Sequence, residues 1–197
     1  VEYGVNSQAL AVGGQLLSLH GLRGDYSEIF LPLFGEHQGN NAAVALAACE
    51  TFLGSALLAP LDEDLVREGF AKVISPGRLE ILRTSPTVMV DAAHNPHSAK
   101  SLATALETSF TFVGVIAVLG MLGSKDAVGF LEALSPVVSQ VVITEPMSPR
   151  ALPAIELARL ASEVLGGERV TIGGDLMSAL EEAIGLADSS GEYGGVG

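Results

Sequence analysis

Cysteine occurs once in these 197 residues, at position 49, so no disulfide can form within the chain. A lone thiol fits a reducing compartment, and a cytoplasmic location is the expectation. Basic residues are scarce too. Ten Lys and Arg stand against 23 Asp and Glu, giving a formal charge of −13, and no basic run occurs. Nucleic-acid binding normally needs a cationic stripe, so that class is set aside. Long apolar runs are also missing. Residues 112–121 form one of the longest, about half the length a bilayer-spanning helix needs. The start carries no signal pattern, but it is Val1 rather than Met, so a true N-terminus further upstream is expected. No repeat or low-complexity segment breaks the pattern.

What is present is a chain 48% hydrophobic and only 17% charged, the balance of a well-buried globular fold. Its length exceeds one average domain and falls short of two full ones. The few cations are therefore informative. Lys72, Lys100, Lys125, Arg23, Arg67, Arg78, Arg83, Arg150, Arg159 and Arg169 are the whole supply for an anionic ligand.

Residues 10–12 and 15–19 read as strands of a hairpin around Gly13-Gly14, and 26–31 as a further strand. Residues 37–52, rich in Ala and Leu, read as a mostly buried helix. Asp62 is the expected N-cap of a helix running to about Lys72. After Ser75-Pro76-Gly77 the pattern changes. Strands are expected at 79–83, 87–91, 112–119, 137–144 and 169–172, with helices at 96–109, 125–134, 153–165 and 175–187. Apolar β-branched runs alternating with amphipathic helices specify an α/β fold: one mostly parallel sheet with helices on both faces. The boundary is placed at 73–77. Residues 1–72 look like an incomplete partner domain, and 73–197 like an α/β domain whose next strand would follow the final helix.

Three segments carry possible chemistry. Val88-Met89-Val90-Asp91-Ala92-Ala93-His94-Asn95-Pro96 is a strand ending in a carboxylate, a polar turn and a helix start with Asn95 as N-cap and Pro96 at its first position. Ligands of open α/β sheets lie at such strand ends, where Asp91 could accept from ribose hydroxyls and His94 donate to a phosphate or carboxylate. The plainer alternative makes Asp91 a turn cap and His94 a solvated loop residue. Ser75-Pro76-Gly77-Arg78-Leu79-Glu80 places an arginine fork at a linker, suited to phosphate, or else to a pairing with Glu80 or backbone. Gly35-Glu36-His37-Gln38-Gly39-Asn40-Asn41 opens an Ala-rich helix with amides able to read a purine edge, or simply to cap.

Other motifs fail. Gly120-Met121-Leu122-Gly123-Ser124-Lys125-Asp126 has its glycines too close for a phosphate loop and no Ser or Thr after the lysine. His94 and His97 lack further metal ligands. Cys49 is expected to be a buried filler.

Taken together, the three segments resemble one family. Gly35 to Ala43, Pro76-Gly77-Arg78-Leu79-Glu80 and Asp91-Ala92-Ala93-His94-Asn95-Pro96 are similar, in order and spacing, to motifs of the folylpolyglutamate/dihydrofolate synthases, which are Mur-type ligases. The resemblance implies a Rossmann-like Mur-ligase C-terminal domain preceded by part of the central ATP-binding domain. It implies ATP and Mg²⁺ as cofactors, with the magnesium ligands and phosphate loop outside this chain. Substrates would be glutamate and a folate or dihydropteroate, joined through an acyl phosphate. Asn41 would contact adenine, Arg78 the phosphates and Asp91 the ribose, with His94 shaping the pocket near the phosphates or glutamate. The usual M-x-D-K-D segment departs at Gly123, keeping only Lys125-Asp126. The 197 residues alone are expected to be inactive, the missing N-terminal domain being a required partner. A cell-wall Mur ligase and a non-catalytic nucleotide-binding module stay open as alternatives.

Overall fold

The computed structural model describes residues 2–54 and 59–190. The chain divides into two compact units, Val1–Glu80 and Ile81–Gly197.

The first unit is an antiparallel meander of β1 (Gly4–Ala11), β2 (Gly14–His20) and β3 (Asp25–Leu31), packed with helices α1 (Glu36–Gly54) and α2 (Glu63–Ala71). Leu17 and Leu19 point inward from β2 at the strand period of two. β3 keeps that face through a bulge: Leu19 opposes Tyr26 and Leu17 opposes Ile29, so Ser27 and Glu28 on β3 stand against Ser18 alone on β2. Glu28, at φ 56, takes up the extra length. These side chains close over Ala42, Ala43 and Leu46 of α1 and Val66 of α2. Asp62 caps α2, accepting from the amides of Asp64 and Leu65 at 2.9 and 3.1 Å.

Only one face of α1 is buried. Val44 and Phe52 are exposed at 53% and 84%, and Cys49 is exposed as well, which corrects its assignment as a buried filler. A helix apolar all round gives no sign of which stripe will meet the sheet. The buried stripe includes a carboxylate, Glu50, at 0% exposure. It accepts from the amides of Leu22 at 2.5 Å and Arg23 at 3.3 Å, and from the Tyr26 hydroxyl at 2.8 Å. Tyr26 in turn accepts from the Leu61 amide at 2.9 Å. Gly21 makes room for this, since a Cβ there would stand 2.6 Å from Glu50 Oε2. One side chain thus ties α1 to the β2–β3 loop and, through Tyr26, to the entry of α2.

Burial, and then the hydrogen bond to Glu50, push the Tyr26 phenol up to about 12 from 10.0. A phenol raised on folding keeps its proton in the native state at pH values where the unfolded chain has lost it. Its contribution is therefore complete below about pH 10 and is lost as pH rises toward about 12. Urea melts across that window should show a falling midpoint, and Tyr26→Phe should flatten the fall. An unchanged slope in the variant would remove Tyr26 from the account.

In the second unit, β6 (Ile116–Leu119), β7 (Gln140–Ile143) and β8 (Val170–Ile172) form a parallel sheet in that order. Val141 and Ile143 face a core shared with α3 (Pro96–Ser109), α4 (Ala127–Leu134) and α5 (Ala154–Leu165). Val142 faces the other way, onto Ala179 and Ala183 of α6 (Leu176–Ser190). Alternate residues of one strand meet helices on both faces, as the α/β reading requires.

One sequence expectation fails here. β4 (Glu80–Thr84) and β5 (Thr87–Val90) make a separate two-stranded sheet instead of joining β6. Only the cis-bonded pair Ser85-Pro86 connects them, a link too short for anything but antiparallel neighbours. An apolar β-branched run marks a strand without naming its partner, and here the partner is local. The expected strands at 112–119 and 137–144 also shorten to the four-residue β6 and β7. Arg169 belongs to a 3-10 turn, and its guanidinium donates to the carbonyls of Val138 and, at 3.0 Å, Ser139. The strand expected after α6 lies outside the described residues.

Candidate functional site

The segments around Asn41 and Arg78 belong to the first unit and the segment around Asp91 to the second, and each is built locally.

α1 begins at Glu36 after a turn at Gly35, whose φ of 97 suits glycine. The Gly35 carbonyl accepts from the Gln38 amide at 3.0 Å and from Gln15 Nε2 at 3.0 Å. Asn41 is exposed, and its Nδ2 donates to Gln38 Oε1 at 3.2 Å. The segment thus holds an amide at the surface, against the Gln38 side chain. His37 is exposed beside it.

Arg78 sits between two residues with left-handed backbones, Gly77 at φ 69 and Leu79 at φ 46. For leucine that conformation costs on the order of 1–2 kcal/mol. Leu79 is only 6% exposed, and burying such a side chain returns about 1.5–3 kcal/mol. Glu80 closes the turn by accepting from the Gly77 amide at 2.8 Å. The expected alternative of an Arg78–Glu80 pair is therefore not what the turn uses. Arg78 is exposed and, among the described residues, is in no ion pair. Several other cations are committed elsewhere: Arg67 to Glu63 and Asp64, Lys72 to Glu68, Arg159 to Glu156 and Glu163.

In the second unit β5 ends at Val90, and half-buried Asp91 follows, with Oδ1 accepting from the Ala93 amide at 2.8 Å. The turn-cap role is real. Asn95 Oδ1 accepts from the Ser98 amide at 2.9 Å, and Ser98 Oγ returns the bond to the Asn95 amide at 3.2 Å, a capping box. The α3 terminus is therefore largely self-satisfied and offers an anion little beyond the His97 amide. His94 is exposed, with Nδ1 2.9 Å from the Ala92 carbonyl. A carbonyl only accepts, so Nδ1 carries the proton and the neutral ring presents Nε2 as an acceptor. His94 can donate to an anion through Nε2 only when protonated.

Asp126 is the N-cap of α4, accepting from the Gly129 amide at 3.0 Å. Among the described residues no group of three His, Cys, Asp or Glu could hold a metal ion, and no helix is long and apolar enough to cross a membrane.

Sequence reading missed Gln8, Gln15 and Glu50. Glu50 could have been found as the lone carboxylate inside an Ala-Leu-Ala-Ala-Cys run.

A parallel sheet with helices on both faces defines an α/β domain, and the carboxylate and capped helix at residues 91–96 follow β5 of the separate two-stranded sheet. Residues 77–192 match the family model "Mur ligase, glutamate ligase domain". The chain belongs to the Mur ligase family. It is 49% identical over 189 residues to the dihydrofolate synthase/folylpolyglutamate synthase of Mycobacterium tuberculosis, covering 96% of this chain and 39% of that protein. The structure of M. tuberculosis folylpolyglutamate synthase complexed with ADP aligns at TM-score 0.92 and 50% identity, over 95% of this chain and 41% of that one. Escherichia coli FolC in complex with DHPP and ADP aligns at 0.74 and 31% identity, over 94% and 40%. The chain thus spans about two-fifths of the length of these relatives.

Proposed function

We infer that the chain is part of an ATP-dependent ligase that adds glutamate to folates, dihydropteroate or both. The observation that carries this reading is the 49% identity, spread over 96% of the chain, to a dihydrofolate synthase/folylpolyglutamate synthase. That match favours the folate branch over a cell-wall ligase or a non-catalytic module. Residues 1–72 correspond in this reading to the end of the central ATP-binding domain, and 73–197 to the C-terminal domain. A cytoplasmic location is part of this reading, and the single cysteine supports it.

The chemistry joins a carboxylate to an amine. The carboxylate attacks the γ-phosphorus of ATP, ADP leaves, and the glutamate nitrogen displaces phosphate from the acyl phosphate. This chain supplies binding and positioning. Asn41 reads adenine, Asp91 accepts from the ribose hydroxyls, and the Arg78 fork meets negative charge building on the phosphoryl oxygens. His94 lines the pocket near the phosphates or the incoming glutamate. Magnesium would neutralise phosphate charge when bound, but the described residues provide no metal group to hold it and none is assigned to it.

The test is folate- and glutamate-dependent ADP release by the whole ligase, with no release expected from the 197 residues alone. Asp91→Ala in the whole enzyme should raise the ATP KM by roughly 10- to 100-fold, the scale of a charge-assisted hydrogen bond of about 1.5–3 kcal/mol. Asp91→Asn, which keeps an acceptor for the Ala93 amide, should retain the fold and lose most of the ribose contact. Wild-type ATP kinetics in both variants would leave Asp91 a turn residue only.

A further inference from the structure

The turn before α3 fixes both the backbone and the ring of His94. Its amide donates to Ser98 Oγ at 3.1 Å, the same hydroxyl that accepts from the Asn95 amide at 3.2 Å. The capping box of α3 therefore also sets where the His94 side chain leaves the chain. The ring is held separately, by Nδ1–H on the Ala92 carbonyl at 2.9 Å. Turning the ring over would exchange Nδ1 for a carbon and forfeit that bond, so Nε2 is the nitrogen left to face outward from an exposed residue. A general-base imidazole in a hydrolytic triad is oriented in the same way, there by a carboxylate on Nδ1–H and here by a carbonyl. His97, one helical turn on, has a ring that makes no hydrogen bond among the described residues.

The proposed ligation needs a base at one step. Free glutamate carries its nitrogen as an ammonium at neutral pH, and an ammonium has no lone pair with which to attack an acyl phosphate. A positioned group must take a proton from it. In the turn that carries His94, Asp91 is bonded to the Ala93 amide, and Asp126 of the neighbouring α4 terminus is bonded to the Gly129 amide. The α3 and α4 termini lie together, since a Cβ at Gly129 would stand 2.8 Å from Pro96 Cγ.

We propose that His94 is the catalytic base of the ligation: Nε2 takes a proton from the ammonium of the incoming glutamate. The amine so formed bonds to the acyl carbon, and the bond from that carbon to the phosphate oxygen breaks. A second proton of the nitrogen leaves with the departing phosphate, and the imidazolium returns its own to water through its exposed edge. The assignment rests on the ligase reaction proposed above. Of the two places that reading allows His94, it chooses the glutamate over the phosphates.

The experiment compares two nucleophiles in the whole ligase. His94→Gln keeps a polar side chain and removes the nitrogen that takes up a proton. At neutral pH and saturating glutamate its kcat should fall about 10²- to 10⁴-fold, the usual weight of a general base. Hydroxylamine is already uncharged at that pH, so it should trap the acyl phosphate at roughly the wild-type rate, read as folate-dependent hydroxamate and ADP. Equal loss with both nucleophiles in a variant that melts normally overturns the proposal. So does a raised KM for glutamate with kcat intact, the mark of a residue that only binds. His94→Ala, at the same exposed position, gives the same comparison should His94→Gln fail to fold. A wild-type ligase that releases no ADP with folate and glutamate would sink the ligase reading itself. Normal wild-type turnover with an undiminished variant sinks the base alone.

Discussion

Arg78→Ala should lower kcat of the whole ligase by on the order of 10²-fold while the thermal midpoint stays where it was. Charge on the transferring phosphoryl group grows toward the transition state, so a guanidinium aimed at it acts on turnover more than on ATP binding. The expected signature is a fall in kcat and in kcat/KM together, with a smaller change in KM for ATP. Arg78→Lys should recover only part of the rate, because an ammonium restores the charge but not the planar fork. Stability should not register either change, since Arg78 is exposed and the turn is held by Leu79 and Glu80. Steady-state kinetics with ATP varied, beside melts of each variant, decide the matter. Wild-type turnover in Arg78→Ala would make it a linker residue.

The opposite signature is expected at Glu50. Glu50→Ala should cost about 3–5 kcal/mol of stability, because it strips the acceptor from the buried Tyr26 hydroxyl and from the amides of Leu22 and Arg23. Glu50→Gln should cost less, since one amide oxygen can still accept where two carboxylate oxygens did. Denaturant midpoints measure both, and the m-value should hold steady if the native fold persists. A loss below about 1 kcal/mol for the alanine variant would mean that the β2–β3 loop reorganises and water replaces the carboxylate.

The alternation of apolar strands with amphipathic helices after Pro76 was enough to place α3, α5 and α6 and the parallel pairing of β6, β7 and β8. Those elements obey a single periodicity over most of their length. β5 was misplaced because Val88-Met89-Val90 describes burial and says nothing about hydrogen-bonding partners. The site segments were legible as motifs, yet their inner wiring was not. Asp91 could be seen as a strand-end acid, but not that Ala93 already takes one of its oxygens. Asn95 announced a capped helix, and the capping box with Ser98 then removed most of the anion-binding capacity that a bare helix terminus would have. Gln15 escaped notice because a buried amide is told from an exposed one only by the backbone carbonyls that close around it. Cys49 shows the reverse error: a residue type that is usually buried sits on the exposed stripe of α1.

The irregular pairings of the meander bear on how the first unit behaves as an object in solution. Its hydrogen-bonded order is β1-β2-β3, so among the described residues β1 and β3 are the outer strands, and the register slips between Val5 and Ser7 on one side and around Glu28 on the other. A flat outer strand is a template for another molecule's strand, and a bulge spoils the template by twisting its donors and acceptors out of line. Straightening β3 by deleting Glu28 would restore an even ladder and invite stacking between copies. The left-handed backbone at Glu28 is then the point at which the ladder of β3 loses the evenness that a further strand would need.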